Sequence, residues 1–296
     1  MEARSDVYAR VTSRIVADLE QGVRPWMKPW STGGGQVGRP LRANGTPYRG
    51  VNVLLLWDAA LMHGFTGQVW MTYKQAHELG GQVRQGEQGS LVVYANTFTK
   101  TTTDQATGEE VETAIPFMKG YTVFNVEQID GLPEQYQARP EPSPEPETLR
   151  DERLERFFAA TGATLRHGGD NAYYSPSTDA IQMPPLGTFH HAEGYYATLA
   201  HEITHWTRHP ARLNRTFGAV WDEASYAKEE LVAELGAAFL CADLRITPEV
   251  RPDHAAYIAS WLEALKRDKR AIFTAAAHAQ RAADYLHACQ QVEQAA

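Results

Sequence analysis

The chain has 296 residues, of which 43% are hydrophobic and 22% charged, and its formal charge is -8; this is a folded, water-soluble composition, not a disordered or fibrous one. No apolar run approaches the ~18 residues of a membrane span, and the opening MEARSDVYARVTSRIVADLEQG mixes charge and apolar residues too evenly for a signal peptide, so a cytoplasmic protein without membrane contact is expected. Cys241 and Cys289 are too few for a disulfide scaffold or a thiolate zinc site, and Cys241, inside LGAAFLCADL, reads as a small core residue.

Val7, Val11, Ile15, Val16 and Leu19 have helical spacing, and Gly22 and Pro25 end that helix. STGGGQVGRPLRANGTPYRG reads as a long loop, and VNVLLLWDAALMHG as a helix with Asn52 as a cap and Gly64 as its stop. GQVWM is a short strand, followed by a helix from about Tyr73 to Leu79. Strands at 90–100 and 121–125 flank KTTTDQATGEEVET, the text of a protruding hairpin. This half is α+β. GLPEQYQARPEPSPEPETLR then carries five prolines and four glutamates with no pair of large apolar side chains, which is a stiff linker. Two domains are therefore expected, at 1–132 and 151–296, joined by a linker at 133–150.

The second half opens with a helix in ETLRDERLERFFAATG, and NAYYSPSTDAIQMPP offers two short strands around a Ser-Pro-Ser-Thr-Asp turn. From Ala192 onward the text is mostly helical. Within it lies LAHEITHWTRH, where His201 and His205 are one helical turn apart and share a face. Glu202 follows the first histidine, where a carboxylate reaches a water on the same metal. The segment is mostly apolar, and burying two histidines and a glutamate is costly unless something satisfies them. A catalytic site needs a third protein ligand and an open position. Glu230 is taken as that ligand, with Glu229 the alternative, and Glu234 as the carboxylate that orients a ligand histidine. Zinc suits such a set, and manganese or another divalent ion fits the same ligands. In this chemistry Glu202 is the general base. Tyr173, Tyr174, Tyr195, Tyr226, His190 and His191 are unranked candidates for a further oxyanion donor. DAIQMP is expected to be an edge strand that pairs with an extended peptide, and Asp179 to close its turn.

Residues 21–57 contain five basic residues and no Asp or Glu, an asymmetry hidden by the acidic total. Cations interleaved with aromatic faces are the pattern of a single-stranded nucleic-acid surface. Arg24, Lys28, Trp30, Arg39, Arg42, Tyr48 and Arg49 are its candidates. Trp26 and Trp30 fit equally as core anchors, and Trp57 is read as core.

PWMKPW, NGTPYRGVNVLLLW, WMTYKQAHELGGQVRQGEQGSLVVY, YYSPSTDAIQMPP and YYATLAHEITHWTRHPARLNR together resemble the ArdC family of plasmid-encoded antirestriction proteins, and the N-terminal part is also similar to TraC-type conjugative primases. The resemblance implies an N-terminal single-stranded-DNA-binding domain and a C-terminal zincin-like, mostly helical metallopeptidase domain. It places the zincin pattern on His201, Glu202, His205 and Glu230, completed by Ala233 and Glu234. It also implies protection of incoming plasmid DNA from host restriction during conjugation, with a restriction endonuclease or another protein as peptidase substrate. The competing expectation is a non-catalytic protein that shields DNA or binds the restriction enzyme, its metal site structural or vestigial.

Overall fold

A computed structural model describes residues 6–24, 26, 38–103, 110–136, 151–217, 222–246 and 254–292. The expectations for Lys28, for Trp30 and for 137–150 of the linker fall outside these residues.

Helix α1 (Val7–Glu20) is capped by Asp6, which accepts from Tyr8 N, and buries Val11, Ile15 and Leu19 along one stripe. After the short strand β1 (Leu41–Arg42) comes α2 (Val51–His63), apolar and buried on nearly every side. Asn52 does not cap it. The helix starts from Gly50, at φ 57°, a conformation that favours glycine. Asn52 instead clamps the backbone of Val93, donating to its carbonyl at 2.8 Å and accepting from its N–H at 2.7 Å. Strand β2 (Val69–Met71) leads into α3 (Tyr73–Glu78), started by a capping box between Thr72 and Gln75, and then β3 (Gln82–Val83). The expected hairpin is β4 (Ser90–Thr103) with β5 (Glu110–Asn125), paired antiparallel from Ser90 opposite Val123 to Thr103 opposite Glu110. The four-stranded order is β1-β2-β5-β4, while β3 pairs with β6 (Ile129–Asp130) over a small core of Met71, Ala76, Val83, Ile129 and Leu132.

The second half begins with α4 (Glu152–Ala159), capped by Asp151. Strands β7 (Thr164–His167), β8 (Tyr173–Ser175) and β9 (Ala180–Met183) form a sheet in the order β7-β9-β8. β9 is therefore the central strand, parallel to β7 and antiparallel to β8, which corrects the expected edge position. Its buried Ala180, Ile181 and Met183 suit a strand paired on both sides. Asp179 closes the turn at φ 45° and also ties it down: its carboxylate accepts from Tyr174 Oη at 2.9 Å and Arg212 Nη1 at 3.0 Å. Four helices follow: α5 (Ala192–Trp206), α6 (Glu223–Leu244), α7 (His254–Arg267) and α8 (Ala271–Val292). Among the described residues no helix is long and apolar enough to cross a membrane.

The architecture is α+β at the N-terminal end and largely helical at the C-terminal end, yet one apolar core runs from α1 and α2 through α5, α6 and α8. Trp26 meets Trp261 with ring centroids 5.9 Å apart, and Trp57 meets Phe239 at 6.1 Å, so both tryptophans are core residues. Cys241 is buried as expected, and burial pushes its thiol up to about 12.

The polar joint of the two halves is Arg39. Its guanidinium donates to both carboxylate oxygens of Asp243, at 2.6 and 2.7 Å, and to Gln280 Oε1 at 2.6 Å. That amide oxygen also accepts from Gly50 N at the start of α2. Arg39 is 7% exposed, so its removal takes a two-pronged ion pair from Asp243, leaving it only His287 at 3.0 Å, and a hydrogen bond from Gln280, in a setting with little water to replace them. We predict that Arg39→Met costs about 3 kcal/mol of unfolding free energy, read from urea melts followed by circular dichroism. Wild-type stability in the variant would refute the role of this joint.

Candidate metal centre

α5 becomes a buried helix over its second half, where His201, Glu202, Ile203, Thr204 and His205 are all enclosed. α6 is started by Asp222, which accepts from Ser225 N at 2.8 Å, and carries Glu229, Glu230 and Glu234 in its buried middle. The two helices approach closely because Gly236 faces Thr204. A Cβ at 236 would overlap Thr204 Cγ2 and stand 2.8 Å from its Oγ1. With no side chain there, Glu230 reaches both histidines.

The three expected ligands converge. His201 Nε2 and His205 Nε2 are 3.2 Å apart, and Glu230 places Oε2 3.5 Å from the first and Oε1 3.4 Å from the second. Tetrahedral bonds of about 2.0–2.1 Å set donor atoms about 3.3 Å apart. The imidazole separation matches two corners of such a tetrahedron, each carboxylate oxygen stands at a similar distance from one imidazole, and one donor atom from each residue lies within 4.8 Å of the other two, so these residues fit a divalent ion. Among the described residues this is the one cluster of His, Cys, Asp and Glu side chains disposed to hold a metal ion.

The carboxylate behind His205 is Glu229, not Glu234. Glu229 Oε1 lies 3.1 Å from His205 Nδ1, an arrangement that fixes the Nδ1–H tautomer and frees Nε2 as a ligand. Adjacent helix positions diverge by about 100°, so Glu230 faces the ligand cluster while Glu229 reaches the far side of the imidazole. Glu229 is held in turn by Arg215, which donates from Nε to Oε2 at 2.8 Å and from Nη2 to Oε1 at 2.6 Å, and is itself anchored on Thr207 Oγ1 and the Thr204 carbonyl. Burial lowers the pKa of half-buried Arg24, opposed by the charge of buried Glu234. Arg215 was not singled out in the sequence: a lone arginine in a loop carries no local signal, and only its burial between α5 and α6 gives it a role.

The electrostatics favour positive charge at the centre. Burial raises Glu229, but Arg215 and His205 outweigh it and hold the carboxyl down at about 2. Glu230 is likewise held far below the usual carboxylate range by the two histidines, against its burial. Burial lowers His205, yet Glu229 and Glu230 prevail and lift it to about 10. Without a metal ion, a proton on the imidazole supplies the cation that these carboxylates demand.

Glu202 is 3% exposed on the same helix. Of the six oxyanion candidates, Tyr195 is committed to His167 Nε2 at 2.9 Å and Tyr174 to Asp179, whereas Tyr173 and Tyr226 are exposed. His191 stands at the start of α5 without a side-chain capping bond.

Among the described residues of the acid-free stretch, the candidates do not share one exposed surface. Arg39 and Tyr48 are buried, which corrects their assignment to an interface: a guanidinium enclosed by Asp243 and Gln280 has no free donor face for a phosphate. Arg49 is exposed but paired with Asp284, and Arg42 is exposed with its guanidinium 5.4 Å from the Tyr48 ring centroid.

Two family models match, an N-terminal domain of the anti-restriction factor ArdC over residues 5–124 and a zincin-like metallopeptidase over 152–278. The metal-free crystal structure of ArdC from plasmid R388 superposes with a TM-score of 0.83 at 52% identity, covering 97% of this chain and 98% of that one. The chain belongs to the ArdC antirestriction family. The Mn(II)-bound R388 ArdC structure matches at TM-score 0.79 and 50% identity, over 96% of this chain and 98% of that one. Uncharacterized protein y4eC of Sinorhizobium fredii is 46% identical over 97% of this chain and 93% of its own length. DNA primase TraC of Escherichia coli is 40% identical over 98% of this chain, which spans 28% of that primase.

Two substitutions test the centre by calorimetric titration with Mn(II) and zinc. Glu230→Ala is expected to abolish binding by removing one corner. Arg215→Lys keeps the charge but loses the two-pronged grip on Glu229, and a drop in affinity of about tenfold or more is expected. Unchanged affinity in Arg215→Lys would show that Glu229 needs no anchor.

Proposed function

We propose that this chain is an antirestriction protein that binds single-stranded DNA and carries out metal-dependent peptide hydrolysis in the cytoplasm of a cell receiving plasmid DNA. The observation that carries the catalytic half is the buried convergence of His201, His205 and Glu230, with Glu202 next to the first of them on the same helix. A purely structural site closes all four positions with protein ligands, whereas the described residues offer three here.

Two imidazoles and a carboxylate suit zinc, and Mn(II) in the R388 relative supports the wider class of divalent ions. When bound, such an ion supplies Lewis acidity, polarising a peptide carbonyl and acidifying a water. Glu202 takes the proton of the attacking water as its oxygen bonds to the carbonyl carbon, and returns it to the amine nitrogen as the C–N bond breaks. Glu229 and Arg215 keep His205 in the tautomer that presents Nε2. Of the two edge strands β7 and β8, β8 packs beside α5 and is the one placed to take an extended peptide.

Restriction protection follows if the N-terminal half brings this centre to the incoming strand or to proteins assembled on it. The non-catalytic alternative, shielding of DNA or capture of the restriction enzyme, keeps every feature except the need for Glu202. Glu202→Gln separates the two. It is expected to retain metal binding, to lose hydrolysis of protein substrates by at least about a hundredfold, and to lose protection of plasmid DNA transferred into a restricting host. Full protection by this variant would establish shielding. The full-length chain is also expected to bind single-stranded oligonucleotides with an affinity that falls steeply with salt, about 0.7 in log–log slope per phosphate contact. Binding insensitive to salt would refute a phosphate interface.

A further inference from the structure

The β4–β5 hairpin carries an aromatic face where polar side chains are expected. Its register sets Tyr94 opposite Lys119, Val92 opposite Tyr121 and Asn96 opposite Phe117. Opposed residues share a face and side chains alternate along each strand, so Tyr94, Phe117, Lys119 and Tyr121 stand on one side. Toward the base that side is core, at buried Val92 and Val123. Beyond it Tyr94, Phe117 and Tyr121 are 46%, 38% and 40% exposed. The Tyr94 ring centroid is 6.1 Å from that of Phe117 and 6.3 Å from that of Tyr121, the rings tilted and edge-on to one another and not stacked face to face. Lys119 Nζ lies 5.3 Å from the Tyr121 centroid.

The charge pattern identifies what such a face meets. In a chain of net charge -8 with 36 acidic residues, segments 88–103 and 113–126 contain no Asp or Glu, and hold Lys100 and Lys119. An apolar protein partner asks for buried area and gives no reason to exclude carboxylates from the part of the hairpin around these rings, the acids of β5 being Glu110 and Glu112 at its far end. A polyanion with flat rings gives that reason: acids repel phosphates, lysines attract them, and exposed aromatic rings stack on unpaired bases of any sequence.

We propose that Tyr94, Phe117 and Tyr121, with Lys119, form the base-stacking platform for single-stranded DNA. The assignment rests on the DNA-binding reading above and relocates it from the loop 21–57 to the hairpin. Stacking accounts for affinity that is tolerant of sequence, and the lysine for part of its salt dependence.

The test uses the full-length chain and a fluorescent oligo-dT, read by anisotropy. Tyr94→Leu, Phe117→Leu and Tyr121→Leu keep apolar bulk on the hairpin, so folding is retained and checked by thermal melting. Each is expected to weaken binding about tenfold, while Tyr94→Phe and Tyr121→Phe bind as wild type. Lys119→Gln is expected to reduce the salt slope by about 0.7. A triple Leu variant that melts normally and binds oligo-dT like wild type overturns the hairpin assignment while leaving DNA binding intact. Absence of oligo-dT binding by the wild type overturns both readings. Equal wild-type affinity for a blunt duplex overturns stacking, and concentration-dependent dimerisation abolished by the triple variant assigns the face to a second copy of the chain.

Discussion

The metal centre depends on the close packing of α5 against α6 at Gly236 and Thr204. Two histidines a turn apart on α5 are only half a site. They acquire a third donor because the backbone of the second helix comes near enough for a glutamate, which has a short reach, to touch both Nε2 atoms. The pair of helices is therefore set by shape, and ligand geometry follows from it. A wider helix spacing would leave Glu230 facing one imidazole alone.

Such packing concentrates charge in a dry interior, where unbalanced carboxylates are costly. Arg215 balances Glu229 with two short hydrogen bonds, both partners almost fully enclosed. Glu230 is then left to the histidines and to whatever cation they share. The chain from arginine to glutamate to imidazole gives the ligand a fixed orientation before any ion arrives, so that binding requires little rearrangement.

Much of this was legible in the sequence for a simple reason. HExxH is a local pattern, and the helical period alone places both histidines on one face. Glu230 followed from the need for a third ligand on an apolar helix, and the α+β and helical halves from periodicity. What failed was long-range. Glu229 stands behind His205, where Glu234 was expected to orient a ligand histidine, because the choice depends on how α6 is rotated against α5, which no spacing within α6 reveals. Arg39 looked like a phosphate ligand since its partner Asp243 lies far along the chain. Strand β9 looked like an edge because β7, its second neighbour, is short and mixed in character. The exposed rings of the hairpin were hidden for the opposite reason: Tyr94 and Tyr121 have the composition of ordinary strand residues, and only the point at which the core ends separates those that are covered from those that are not.

The Arg39 joint and the shared apolar core bear on how this protein travels through evolution. A half that folds alone can be shuffled alone, but here α1 rests on α7, and Trp26 and Trp57 are sealed by residues from the other end of the chain. Cutting at the linker would expose two matching apolar wounds. The unit of inheritance is accordingly the pair, and the primase relative carries nearly the whole of it as one contiguous portion of a much longer polypeptide. The metal centre and the N-terminal half are a single cassette because neither can be lifted out dry.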